Sequence, residues 1–233
     1  KALLRELGVS VFSFVCSIGD AAMATPIDPT AVDAEAVERS DVRCPDEEAS
    51  ARMRAAIDVA SEAGESLGGT FFVTAAGLVP GLGTYAEAQG RLDARLAGAV
   101  MSIPAIKGVE FGEGFALAGR PGSDAHDESR YDGEDGYYRA TNRAGGLEGG
   151  MTNGAPLVVR AAMKPIPTLM KPLETVDVDT HETVDASKER SDVCAVPAAA
   201  VVAEAEVAVV LADAYVRKFG EDCLADMVAA LEA

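Results

Sequence analysis

The segment from Gly145 to Thr168, "GGLEGGMTNGAPLVVRAAMKPIPT", constrains the fold of this chain more than any other. It packs five glycines into its first ten residues, continues as an apolar β-like run, and ends in a lysine beside two prolines. Glycine at that density excludes a helix and favours tight turns that need positive φ. Pro165 and Pro167 fix φ and remove donors, so Lys164 to Thr168 reads as a rigid, partly extended turn following a strand. Two nucleotide-loop templates fail on it. Gly149 and Gly154 have Walker A spacing, but Ala155-Pro156 stands where Lys-Ser/Thr is required, and no G-x-G-x-x-G is present. Taken alone, the stretch reads as a glycine turn between strands.

The surrounding order of elements is mixed. Ala2, Leu3, Leu4 and Leu7 read as the last turns of a helix capped by Gly8, followed by a strand over Val9 to Val15. That opening suggests a chain that starts inside a domain. Residues 24–48 form a polar excursion with a short helix. Asp46 then caps a helix from Glu47 to about Gly64, with acidic residues in its first turn. Residues 66–78 read as a strand broken by glycines, and 86–103 as a helix with Leu92, Leu96, Ala99 and Val100 on one face. Residues 105–119 read as a strand with bulges, 119–144 as a long polar loop, and 156–164 as a strand. A final helix over 197–218 sets Val202, Ala205, Val209, Ala212 and Val216 on one face. Without β-α-β alternation, the class expected is α+β with antiparallel sheet, in a single domain spanning 1–233.

Composition narrows the function. The chain has 233 residues, no Trp, and a formal net charge of −18, which argues against non-specific binding to nucleic acid or anionic membranes. Cys16, Cys44, Cys194 and Cys223 form no C-x-x-C pair, and with two histidines there is no zinc pattern. Free thiols in a reducing cytoplasm are the plain expectation. His126 and His181 read as surface residues, and Asp124, Asp127 and Glu128 as a solvated acidic loop rather than a metal site.

Several blocks, taken in order, resemble the chorismate synthase family: "GESLGG" (64–69), "GLG" (81–83), "RLDARLAGAVMSIPAIKGVEFGEGF" (91–115), "GSDAHDE" (122–128), "TNRAGGLEGGMTNG" (141–154), "MKPIPT" (163–168) and "RSDVCAVPAAAVVAEA" (190–205). The resemblance covers nearly the whole chain. It implies an α/β sandwich with helices between antiparallel sheets, assembled as a homotetramer. It also implies elimination of phosphate from 5-enolpyruvylshikimate 3-phosphate to give chorismate, with reduced FMN required and NADP implicated. The family's histidine-bearing "GESHG"-like motif, its arginine-rich motif and two catalytic histidines are absent: Leu67, not His, follows "GES". The chain therefore resembles the C-terminal two-thirds of the enzyme, and alone it is expected to be inactive.

By the same resemblance Pro104, Ala105, Gly149, Lys164, Pro165, Ile166, Pro167, Thr168 and Arg190 contact FMN, and Asp192 is the catalytic acid–base group. Each has a plainer alternative. Lys164 is also an ordinary strand-end lysine, Pro104 and Gly149 are also close-packing positions, and Arg190 with Asp192 also fits a helix cap and a surface ion pair. Ser191 departs from the His found in many family members.

Overall fold

The computed structural model describes residues 1–24, 27–133, 136–188, 190–220 and 222–232. In chain order the elements are α1 (Ala2–Glu6), β1 (Ser10–Ile18), β2 (Ala21–Ala22), α2 (Ala34–Arg39), α3 (Glu47–Ala63), β3 (Gly69–Ala76), α4 (Leu92–Met101) and β4 (Ile106–Phe111). A 3-10 turn (Gly114–Gly119) leads to α5 (Gly122–Ala125), β5 (Ser129–Asp132), β6 (Gly136–Arg139), β7 (Leu147–Glu148), β8 (Met151–Thr152) and β9 (Leu157–Met163). Then come β10 (Glu174–Val176), β11 (Thr183–Asp185), α6 (Val196–Phe219) and α7 (Leu224–Glu232).

One five-stranded sheet, ordered β2-β1-β3-β9-β4, organises the chain, and every neighbour in it is antiparallel. The α+β class therefore stands over a doubly wound one. Alternation divides each strand between two faces. Leu157, Val159, Ala161 and Met163 of β9 join Val11, Val15, Phe71, Val73 and Ala75 in the main core, beneath α6 and α4. Val158 instead joins Phe14, Cys16 and Phe72 in a smaller cluster on the opposite face. A register shift between Val15 and Ser17 lets Ile18 rejoin the main core, and a second shift between Ile106 and Gly108 does the same work in β4.

Local signals place several elements as expected. The Asp46 side chain accepts from Ala49 N–H at the start of α3, and Gly64 closes that helix at φ +70°. Elsewhere the structure departs from the pattern. α4 begins at Leu92 rather than near Ala86, because residues 84–90 are held in turns by the Thr84 hydroxyl and the Glu87 carbonyl. The expected strand over 105–119 stops at Phe111, where Gly112 and Gly114 take φ of +57° and +49° and turn the chain away. The polar segment 119–144 is not structureless: it carries α5 and the β5–β6 hairpin.

The largest correction concerns α6. Val202 and Val209, placed on the core face by the sequence pattern, are 47% and 66% exposed. Val196, Ala199, Ala203, Val207, Leu211 and Tyr215 face the sheet instead. The helix is apolar nearly all round, so its periodicity does not choose a face. The small alanines settle it, by letting the helix lie close on β1 and β3.

Candidate functional site

Four separated segments meet at one end of the sheet, where Gly69 and Ile106 both pair with Met163. The first is the turn from α3 into β3. Ser66, which is buried, donates its hydroxyl to Ile166 O at 2.6 Å, and Gly64 O accepts from Met170 and Lys171 N–H, each at 3.1 Å. Gly68 is required sterically: a Cβ there would stand 2.2 Å from Met163 O and 2.8 Å from Pro165 N. These neighbours are backbone and cannot swing aside.

The second segment is Pro104–Ala105. Ala105 sits at φ +67°, a left-handed conformation that costs a non-glycine residue about 1 kcal/mol. Its carbonyl accepts from Lys164 N–H at 2.9 Å, which ties it to the third segment, Lys164–Thr168. The fourth is Arg190–Cys194. Ser191 Oγ donates to Thr168 O at 3.0 Å, Leu67 N–H donates to Val193 O at 2.8 Å, and Leu67 bridges Cys194 in parallel.

Main-chain hydrogen bonds and the Ser66 and Ser191 hydroxyls thus assemble Pro104, Ala105, Lys164 to Thr168, Arg190 and Asp192 at one edge. Lys164, Pro165, Pro167, Arg190 and Asp192 are exposed there, while Ile166 and Thr168 are half-buried. Neither cation forms an ion pair among the described residues. Lys164, Arg190 and the Thr168 hydroxyl are donors of the kind an oxyanion takes, in a chain whose overall charge is strongly negative. Cys194, beside this edge, is pushed above the usual thiol range by burial, and so is unsuited to act as a nucleophile at neutral pH.

Gly149 is not brought to this edge. It lies at φ +60° in the turn between β7 and β8, which is fastened to the start of α4 by Leu92 N–H donating to Gly150 O at 2.8 Å. That turn belongs to a separate two-stranded sheet and is not among the segments bonded at the Lys164 edge. His126 and His181 are exposed, as expected for surface residues.

Asp127, in contrast, is not part of a solvated acidic loop. It is only 6% exposed and accepts from the Thr141 hydroxyl and from the N–H groups of Arg143 (2.8 Å) and Ala144 (2.9 Å). Burial opposes its charge, but those hydrogen bonds and the nearby Arg143 guanidinium outweigh it and hold the carboxyl below its usual range. Ser66, Gly68 and Ser191, which build the edge, also went unmarked as site residues. The only sequence sign was the glycine pair in "GESLGG". Among the described residues no His, Cys, Asp and Glu side chains cluster as metal ligands, and no helix is long and apolar enough to cross a membrane.

The family model described as chorismate synthase matches residues 1–216. A chorismate synthase of Rubrobacter xylanophilus is 56% identical over 233 residues, all of this chain and 59% of that protein. The Bacillus subtilis chorismate synthase is 54% identical over 224 residues, 95% of this chain and 57% of that protein. A crystal structure of chorismate synthase superposes with a TM-score of 0.83 at 41% identity, covering 98% of this chain and 63% of the other. The chain therefore spans about three-fifths of the length of the relatives it matches.

Proposed function

This chain belongs to the chorismate synthase family, and from that premise we propose that its assembled edge is one wall of a reduced-FMN site. The complete enzyme would eliminate phosphate from 5-enolpyruvylshikimate 3-phosphate in the cytoplasm, giving chorismate, as a homotetramer. The observation that carries this reading is the convergence of residues 104–105, 164–168 and 190–192 through main-chain hydrogen bonds and the Ser191 hydroxyl, with Lys164 and Arg190 in no ion pair among the described residues.

The residues present fit the cofactor's chemistry. Lys164, Arg190 and the Thr168 hydroxyl supply donors for its phosphate and ribityl oxygens, and Ile166 and the prolines present an apolar ledge to a flat ring. When bound, reduced FMN supplies the electron-rich ring that favours cleavage of the C–O bond to the leaving phosphate. Lys164 and Arg190 would orient the cofactor, at little reorganisation cost because "KPIPT" is already rigid. Asp192, exposed beside the edge, would hold and return a proton at the flavin ring. Ser191 would keep Asp192 in place through its bond to Thr168 O. Gly149, in the turn between β7 and β8, is the one expected cofactor contact that is not bonded into this edge.

A second reading is favoured by the length comparison. A chain covering about three-fifths of its relatives supplies part of a pocket, and by itself it would bind cofactor weakly and turn over no substrate. Flavin-fluorescence titration of the chain tests the wall directly. Lys164→Ala and Arg190→Ala are each expected to weaken FMN binding about tenfold, or about 1.4 kcal/mol, and unchanged affinity would refute the assignment. Joined to the N-terminal part of a relative, the chain should gain turnover, and Asp192→Ala should remove most of it while FMN affinity holds.

A further inference from the structure

Pro165 and Pro167 remove two of the five amide donors from the Lys164–Thr168 turn, so its placement depends on groups from other segments. Lys164 N–H donates to Ala105 O at 2.9 Å, the Ser66 hydroxyl to Ile166 O at 2.6 Å, and the Ser191 hydroxyl to Thr168 O at 3.0 Å. Ala105 and Ser191 belong to segments expected to touch cofactor themselves. Ser66 does not. It lies in the junction between α3 and β3, 100 residues from Ile166 along the chain, and is only 7% exposed.

That junction is anchored on several sides. Gly64 closes α3 at φ +70°, and its carbonyl accepts from Met170 and Lys171 N–H, each at 3.1 Å, just beyond the turn. Leu67 N–H donates to Val193 O at 2.8 Å, on the segment that carries Arg190. Gly68 lies so close to Met163 O and Pro165 N that no Cβ fits between. Gly64 and Ser66 therefore hold the Lys164 side of the edge, and Leu67 holds the Arg190 side. The Ser66 bond falls two residues from Lys164 and is sheltered from water, where a hydrogen bond competes least with solvent.

The chemistry of a flavin nucleotide divides along the same line. Its phosphate depends on where a cation is held, whereas its flat ring depends on apolar surface. Lys164 carries its charge on a flexible four-carbon stem, so the direction of its main chain decides which oxyanion it meets. A turn released at Ile166 would lose the phosphate contact and keep most of the ring contact.

On the flavin reading of this edge, on which the inference rests, we propose that Ser66 is a positioning residue that sets the preference for a phosphorylated flavin. Through Ile166 O it holds Lys164 where the ammonium meets the phosphate, without touching the ligand.

The test is a fluorescence titration of FMN and of riboflavin, which lacks the phosphate, with the 233-residue chain. Each flavin is held at about 1 μM and the chain is raised to about 1 mM. The parent should bind FMN about tenfold tighter than riboflavin, and Ser66→Ala should reduce that preference to about threefold or less, chiefly by weakening FMN. In the Lys164→Ala background, Ser66→Ala should change FMN affinity by less than about twofold, because its effect runs through the lysine. A serine with a merely structural role would weaken both flavins alike and add its full loss to that of Lys164→Ala. Thermal melts establish that each variant is folded; where the alanine variant is not, Ser66→Cys, similar in size and a weak donor, is read in the same way. A parent that binds neither flavin, or binds both equally, removes the flavin reading and this role together. A parent that prefers FMN, with Ser66→Ala (or, in its place, Ser66→Cys) keeping that preference or adding fully to Lys164→Ala, overturns the role of Ser66 alone.

Discussion

Asp127→Asn should be the most informative single change in the 119–146 region. In the parent, Oδ1 accepts from the Thr141 hydroxyl and Arg143 N–H, and Oδ2 accepts from Ala144 N–H. An asparagine keeps one acceptor oxygen but sets its NH2 against Ala144 N–H, leaving a buried donor unpaired. Losing one charge-assisted bond costs about 1.5–3 kcal/mol, and weakening the other two brings the expected loss to about 3 kcal/mol. For a chain of this size that is a fall in Tm of about 6–12 °C, if the segment melts with the rest. Denaturant unfolding at pH 7 gives the free energy, and amide exchange at Arg143 and Ala144 detects a local opening that the global transition would miss. The pH dependence carries the sign. Because the folded carboxyl is depressed, its stabilisation is complete above the unfolded value of about 3.9 and disappears as pH falls through the folded value. The gap between parent and Asp127→Asn should therefore close below about pH 4. A loss under about 0.5 kcal/mol with unchanged exchange at both amides, or a gap that widens in acid, would refute the reasoning.

Three further changes probe the frame. Gly68→Ala drives a Cβ into Met163 O and Pro165 N, so it should cost about 1–3 kcal/mol and make the Lys164–Thr168 turn the first site of limited proteolysis. Tyr215→Phe removes the hydroxyl that accepts from Val79 N–H at 3.2 Å and should lower denaturant stability by about 1 kcal/mol. On α6, Leu211→Ala should cost about 2–5 kcal/mol, whereas Val209→Ala should stay within about 0.5 kcal/mol; similar losses at both would contradict the face assigned to that helix.

What the sequence reveals follows from the range over which each signal acts. Asp46 and Gly64 were legible because a cap is made within one turn of its own helix. Strands β3 and β9 were legible because apolar runs bounded by glycine and proline admit little else. The core face of α6 was not, since alanine and valine surround the helix and only the position of the sheet chooses between them. Asp127 sits in "SDAHDESR", whose composition reads as solvent-exposed; its burial depends on N–H groups 16 and 17 residues further along the chain. For the Lys164 edge, residue types and order were readable, while their assembly depends on Ser66, Gly68 and Ser191, whose partners lie on other segments.

The register of β9 is fixed by its neighbours on both sides. β9 ends in the lysine edge at one extreme and at the other sets Val158 among Phe14, Cys16 and Phe72 on the face turned away from α6. Between them Arg160 points to the same face as Phe72, 3.2 Å from Glu110 and 5.6 Å from the centre of the Phe72 ring. A one-residue slip would turn Arg160 into the helix layer and Val159 and Ala161 out of it, burying a charge and exposing core residues together. Pairing with β3 on one side and β4 on the other makes such a slip break two ladders at once. The strand thus acts as a fixed spacer. It holds Lys164 N–H on Ala105 O at one end and Val158 O on Gly112 N–H at the other.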